Sequence, residues 1–140
     1  MDEPPHEFPA QIRPLRSRSD LLAIADLVEL CFAESMDPDG RDYLRYMRRL
    51  ATNSFYTASE NAITGSRLPV QGFLWEEDGK VVGNLTIIAF IQPGYRTYLI
   101  ANVAVYPQYR RRGIARELTL KGLNFAFSHH AQTVWLHVRD

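Results

Sequence analysis

The sequence predicts one α/β domain: a mixed, mostly antiparallel twisted sheet whose last two strands run parallel around a helix at residues 113–128. Three observations predict it. Glu77-Asp78-Gly79-Lys80 carries the Asp-Gly signal of a tight hairpin between two strand-like runs. Residues 81–92 form a long run that is apolar on both faces, as a central, doubly covered strand requires. The chain then reads strand (97–105), helix (113–128), strand (133–138), and such a crossover places its two strands parallel.

Residues 1–10 hold three of the eight prolines and are expected to form a flexible N-terminal arm, with the domain proper over 11–140. Ile12 to Leu15 reads as a short first strand. Ser19 or Asp20 is expected to cap a helix whose apolar residues Leu21, Ile24, Leu27, Val28, Cys31 and Phe32 recur at helical spacing. Cys31 on that stripe reads as a small buried hydrophobe or as a reactive thiol, and the first reading is preferred. Asp37-Pro38-Asp39-Gly40 is expected to break the chain before a second helix over Tyr43–Leu50. That helix has an apolar face (Tyr43, Leu44, Met47, Leu50, Ala51) and a basic flank (Arg41, Arg45, Arg48, Arg49). The flank is a solvated surface or a substrate-binding one, the solvated reading being favoured. Residues 61–69 read as loop. Gly72–Glu76 is a strand, and Pro93-Gly94 turns the chain before the strand at 97–105.

Composition narrows the function. The chain has 140 residues, 46% hydrophobic and 23% charged, an ordinary balance for one globular domain. Sixteen basic and sixteen acidic residues cancel, which argues against a nucleic-acid binder. No apolar run is longer than that of residues 87–91, far shorter than the ~20 residues of a membrane-spanning helix. A lone cysteine excludes an intrachain disulfide and a cysteine-based zinc site. His129 and His130 end a helix, where cationic side chains suit the dipole, and no third ligand has suitable spacing, so no metal is expected. The acidic, proline-rich start is not a secretory signal, and a cytoplasmic protein is expected.

One segment carries chemistry. Tyr106-Pro107-Gln108-Tyr109-Arg110-Arg111-Arg112-Gly113-Ile114-Ala115-Arg116 joins a strand to a helix. Pro107 ends the strand ladder. The helix start leaves backbone N–H groups unpaired and carries positive partial charge. Gly113 admits close approach of a ligand, small Ala115 keeps the first turn open, and arginines surround it. This is a cradle for a diphosphate. It is neither a Walker loop nor a dinucleotide fingerprint, because Gly-Lys-Ser/Thr and Gly-x-Gly-x-x-Gly are missing.

Together with Val103-Ala104-Val105, this segment resembles the acyl-coenzyme A motif of the GNAT N-acetyltransferases, Arg/Gln-x-x-Gly-x-Gly/Ala. The order of helices and strands also matches from residue 11 on. The resemblance implies an N-acyltransferase that moves an acetyl group from acetyl-CoA to a primary amine by direct attack on the thioester. It implies that the pantetheine arm pairs with Val103, Ala104 and Val105, that the backbone N–H of Val105 serves as oxyanion donor, and that the diphosphate lies on Arg111 to Arg116. The cofactor set is then Val103, Ala104, Val105, Arg110, Arg111, Arg112, Gly113, Ile114, Ala115 and Arg116. The acceptor is a small-molecule or protein amine, with no nucleic acid or membrane involved.

The base is read in more than one way. Strand residues 98–102 hold no carboxylate, where several GNAT members place a Glu. Trp135-Leu136-His137-Val138-Arg139 resembles the Trp-Leu-Glu-Val-Arg of the branch that acetylates ribosomal-protein N-termini, with His137 at the place of the catalytic Glu. An imidazole titrates near pH 6.5 when unperturbed and suits a general base. His137 is therefore the candidate base or a strand histidine facing a groove, and Glu76 and Glu77 are the other candidates. Family members continue with an Asn-containing loop, a helix carrying the acid Tyr and a last hairpin. The sequence stops at Asp140, so the domain is expected to lack that helix and hairpin. Two alternatives follow: a non-catalytic acyl-CoA-binding module, or an inactive fragment of a longer GNAT protein. With its strand edge at 133–139 left open, the chain is expected to form a homodimer there.

Overall fold

The computed structural model describes residues 5–52 and 70–137. Five strands lie in one sheet in sequence order: β1 (Ile12–Pro14), β2 (Gln71–Glu77), β3 (Lys80–Gln92), β4 (Tyr95–Val105) and β5 (Thr133–Leu136). The first four pair antiparallel, and β5 runs parallel to β4, with Thr97 opposite Thr133 and Ile100 opposite Leu136. The predicted mixed sheet and its parallel last pair are observed. Asp78 (φ 51°) and Gly79 (φ 80°) both adopt left-handed conformations at the β2–β3 turn, as a type I′ hairpin demands.

Helix α1 (Arg18–Phe32) has its cap two residues before Ser19, the earlier of the expected caps. Ser17 is the N-cap: its side chain accepts from the Asp20 N–H, and the Asp20 carboxylate accepts from the Ser17 N–H. Asp20 thus closes a capping box from the N3 position. It also takes two hydrogen bonds from Arg13, at 2.7 and 2.9 Å, which tie α1 to β1. Helix α2 (Pro38–Thr52) starts five residues earlier than expected. The Asp37 side chain accepts from the Gly40 N–H at 2.8 Å and Pro38 takes the first helical position, so the segment read as a breaker is a helix start. On the basic flank, Arg48 bonds Asp26 and Glu29 of α1, so this arginine fastens two helices together.

Helix α3 (Ile114–Ser128) covers the other face of the sheet. Two apolar clusters result. Leu21, Ile24, Val28, Leu44, Met47, Leu50 and Leu74 fill the space between the sheet and α1–α2. Phe73, Trp75, Val82, Leu85, Ile100, Ile114 and Leu118 fill the space under α3. β3 separates the clusters and is buried from Val82 to Ile87, as its two-sided apolar pattern predicts. Gly122 brings α3 close to the sheet: a Cβ there would meet the Leu85 side chain at 3.0 Å.

The described part of the N-terminal arm lies against α3. His6 Nε2 is 2.7 Å from Glu117 Oε2, and the Lys121 ammonium sits 4.7 Å above the Phe8 ring. The loop expected at 61–69 lies outside the described residues, as does residue 138, the end of the expected last strand.

Candidate active site

β4 contains a bulge. Asn84 pairs with Ala104 but Thr86 pairs with Ala101, so Asn102 and Val103 together face the single residue Leu85. Asn102 adopts φ 54°, a left-handed conformation that Asn tolerates better than most residues. Pairing with β5 ends just before the bulge, at Ile100 and Leu136, followed by a bond of 2.9 Å from the His137 N–H to the Ile100 carbonyl. Among the described residues, Val103 to Val105 therefore have no strand partner on the β5 side.

A cavity of about 290 Å³ opens along this free edge. It is lined by Val103, Ala104, Val105, Tyr109, Arg110, Arg111, Gly113, Ile114, Ala115 and Arg116, with Cys31 and Phe32 from the end of α1. Nine of the ten residues read from the sequence as cofactor-binding thus converge on one cavity. The loop is shaped by two left-handed residues, Arg111 (φ 63°) and Gly113 (φ 79°). Gly113 is the N-cap of α3 and offers no side chain to it. The first intrahelical bond runs from the Glu117 N–H to the Gly113 carbonyl, so the amides of Ile114, Ala115 and Arg116 stay without intrahelical partners. Such a helix start holds an anion.

The tenth residue, Arg112, lies apart from the cavity lining. Its guanidinium makes a bidentate pair with Glu77 (2.8 and 3.2 Å) and packs over the Tyr109 ring at 5.5 Å. This clasp joins the loop before α3 to the end of β2, a pairing across 35 positions that no local pattern announces. Arg110 turns inward and donates from Nε to the Val105 carbonyl at 2.9 Å. Cys31 was read as a core hydrophobe but is only half-buried at the cavity wall, its Sγ 3.5 Å from both the Val105 carbonyl oxygen and Arg110 Nη2. The signal was its place on the last turn of α1, where the apolar stripe leaves the core.

His137 belongs to a second cavity, also of about 290 Å³, on the α1–α2 face. Val28, Met36, Asp37, Asp39, Gly40, Tyr43, Ile88, Leu99, Ala101 and Asn102 complete its wall. Burial pushes the Tyr43 hydroxyl up from its ordinary pKa, and its hydrogen bond with Thr86 offsets part of that rise. The other candidate bases point elsewhere. Glu76 pairs with Arg13 at 3.2 Å. Glu77 accepts from Trp75 Nε1 at 2.9 Å, and this bond together with Arg112 holds its carboxyl below the usual range. His129 closes the end of α3, stacked on Phe125 at 4.0 Å. Among the described residues no three His, Cys, Asp or Glu side chains gather as a metal site, and no helix is long and apolar enough to cross a membrane.

The chain is similar to several solved acetyltransferase structures. A GCN5-related N-acetyltransferase from Ralstonia eutropha JMP134 shares 22% identity at a TM-score of 0.65, over 92% of this chain and 83% of that one. A ribosomal-protein-alanine N-acetyltransferase from Brucella melitensis shares 19% at 0.62, over 91% and 78%. A predicted acetyltransferase from Clostridium acetobutylicum, solved with acetyl-CoA, shares 18% at 0.65, over 92% and 80%. No curated protein matches the sequence significantly. The profile of the Acetyltransferase (GNAT) family matches residues 24–140, a span that holds the bulge, the amide cradle and both cavities. The chain belongs to the GNAT acetyltransferase family, whose members transfer an acetyl group from acetyl-CoA to an amine.

Proposed function

We propose that acetyl transfer takes place at the β4 bulge, between the two cavities. The observation that carries this reading is the position of two consecutive residues: Val103 lines the α3-side cavity and Asn102 lines the α1–α2-side cavity. The bulge therefore borders the sites of both reactants. Bound acetyl-CoA supplies an activated thioester. The amides of Ile114 to Arg116, with Arg111 and Arg116, hold its diphosphate. The free edge of Val103 to Val105 offers backbone groups to the pantetheine arm, and the Val105 N–H is assigned to the developing oxyanion.

The second cavity takes the acceptor. Asp37 and Asp39 at its wall favour a cationic amine, and Tyr43 offers an aromatic face for it. His137 lines this cavity and accepts the proton that an ammonium must lose before it attacks. We place the reaction in the cytoplasm, in keeping with the unpaired Cys31. We also assign self-association to residues 133–139, supported by the exposed edge of β5.

The test is thiol release from acetyl-CoA with a panel of primary amines: polyamines, aminoglycosides and basic peptides. His137→Ala is expected to lower kcat by about 100-fold or more and to leave acetyl-CoA affinity, measured by calorimetry, nearly unchanged. The alkaline-rising limb of the pH–rate profile should vanish with it. Wild-type kinetics in the mutant would remove His137 from the mechanism. Tight acetyl-CoA binding without turnover on any amine would favour a non-catalytic acyl-CoA-binding module.

A further inference from the structure

Two polar residues of β3 are almost fully buried, Asn84 (1% exposed) and Thr86 (2%). A buried carboxamide is costly unless its hydrogen-bonding groups are used. Asn84 Nδ2 donates to the Asn102 carbonyl at 2.9 Å and to Thr86 Oγ1 at 3.3 Å. Thr86 and Tyr43 of α2 line a common cavity. The Asn84 carboxamide thus links Thr86 on β3 to the carbonyl at the bulge, whose residue, Asn102, lines the second cavity with Tyr43.

A bulge interrupts the ladder and leaves backbone groups to be satisfied by other means. At this one the replacement is a side chain, and the carbonyl it holds belongs to the left-handed residue Asn102. The next residue, Val103, begins the free edge of the first cavity.

We propose that Asn84 is a positioning residue for acetyl transfer: by holding the Asn102 carbonyl it keeps the bulge formed and the edge of Val103 to Val105 aimed at the cofactor. Asn84 touches neither reactant and acts through the backbone of β4. A hydrogen-bond donor is required at this position, so an isostere without one should fail even when the fold survives. The inference rests on the placement of the cofactor along that edge.

The experiment uses the whole chain and acetyl-CoA, with affinity by calorimetry, unfolding by urea, and backbone amide signals by NMR. In the wild type, acetyl-CoA should shift the amide signals of Val103 to Val105. If it binds without shifting them, the placement of the cofactor fails, whatever Asn84 does. Given that shift, Asn84→Asp at pH 8 keeps the shape and replaces the donor with a carboxylate. It should lose about tenfold or more in affinity, as expected when one positioning hydrogen bond is lost. The free-protein signals of Asn102 to Val105 should move as well. Thr86→Val, which leaves the Asn102 bond in place, should stay within about threefold of wild type. Asn84→Ser, uncharged and too short to reach, should repeat the loss and decides the matter if Asn84→Asp does not fold. Wild-type affinity in a folded Asn84 variant overturns the proposal. So does a loss shared equally by Thr86→Val, which would mark a packing effect alone.

Discussion

Asp20 shows how much one side chain can hold. Burial by itself would raise its pKa, but the hydrogen bonds from Arg13, Arg16 and Ser17 win and lower it. The carboxylate is 6% exposed and Arg13 is 14% exposed, so solvent screens the pair little. A carboxyl whose pKa is lower in the folded state stabilises the fold above its unfolded pKa, and that support is lost as pH falls through the folded value. The urea midpoint should therefore drop as pH falls below about 4. Asp20→Ala should cost about 2–3 kcal/mol at neutral pH and flatten that acid loss, because it strands Arg13 and opens the capping box. An unchanged acid slope in the mutant would place the titration elsewhere. The sequence reading saw Asp20 as a possible cap. The Ser-x-x-Asp spacing from Ser17 was the better signal, since it marks N3 and not the cap itself. The partnership with Arg13 depends on β1 lying beside α1, which no local pattern encodes.

Among the elements, α3 ties sequence to site most directly. Its start was legible because Pro107, the arginines and Gly113 each have a local reason to be there. Gly113 has φ 79°, and a Cβ on it would meet nothing within 4 Å. A side chain there would enter open space next to the free amides at the cost of a left-handed backbone, about 1–2 kcal/mol. Gly113→Val should weaken acetyl-CoA binding by about tenfold or more, far beyond its effect on the unfolding midpoint. Calorimetry returning wild-type affinity would take the amides of α3 out of the cofactor site. The bulge in β4 was not legible. Residues 97–105 read as one uninterrupted strand, and only Asn102, a residue suited to left-handed backbone, hinted at the break. The start of α2 was misread because Pro and Gly were taken as breakers, whereas an Asp directly before Pro is a helix cap.

For the molecule as a whole, association is governed by its two sheet edges. β1 is short and sits beside α1. Among the described residues β5 is the other edge, with Trp135 (63%) and Leu136 (53%) exposed on it and Phe127 (61%) exposed near the end of α3. Unpaired backbone beside large apolar side chains is a template for another chain. Light scattering of this 140-residue chain should show a dimer at tens of micromolar, and Trp135→Lys should shift it to monomer. A monomer at every concentration, with slow amide exchange across 133–136, would defeat the proposed contact. The architecture around these edges was legible as a class, because hairpin turns and a crossover admit few topologies.

The strand order of the sheet repeats the order of the chain. During synthesis each new strand emerges to find its neighbour already made, and β2, β3 and β4 can zip as successive hairpins. β5, the last to arrive, must wait for α3. The free β4 edge and the amide cradle straddle that last step, so a nascent chain can hold most of its sheet before it can hold its cofactor.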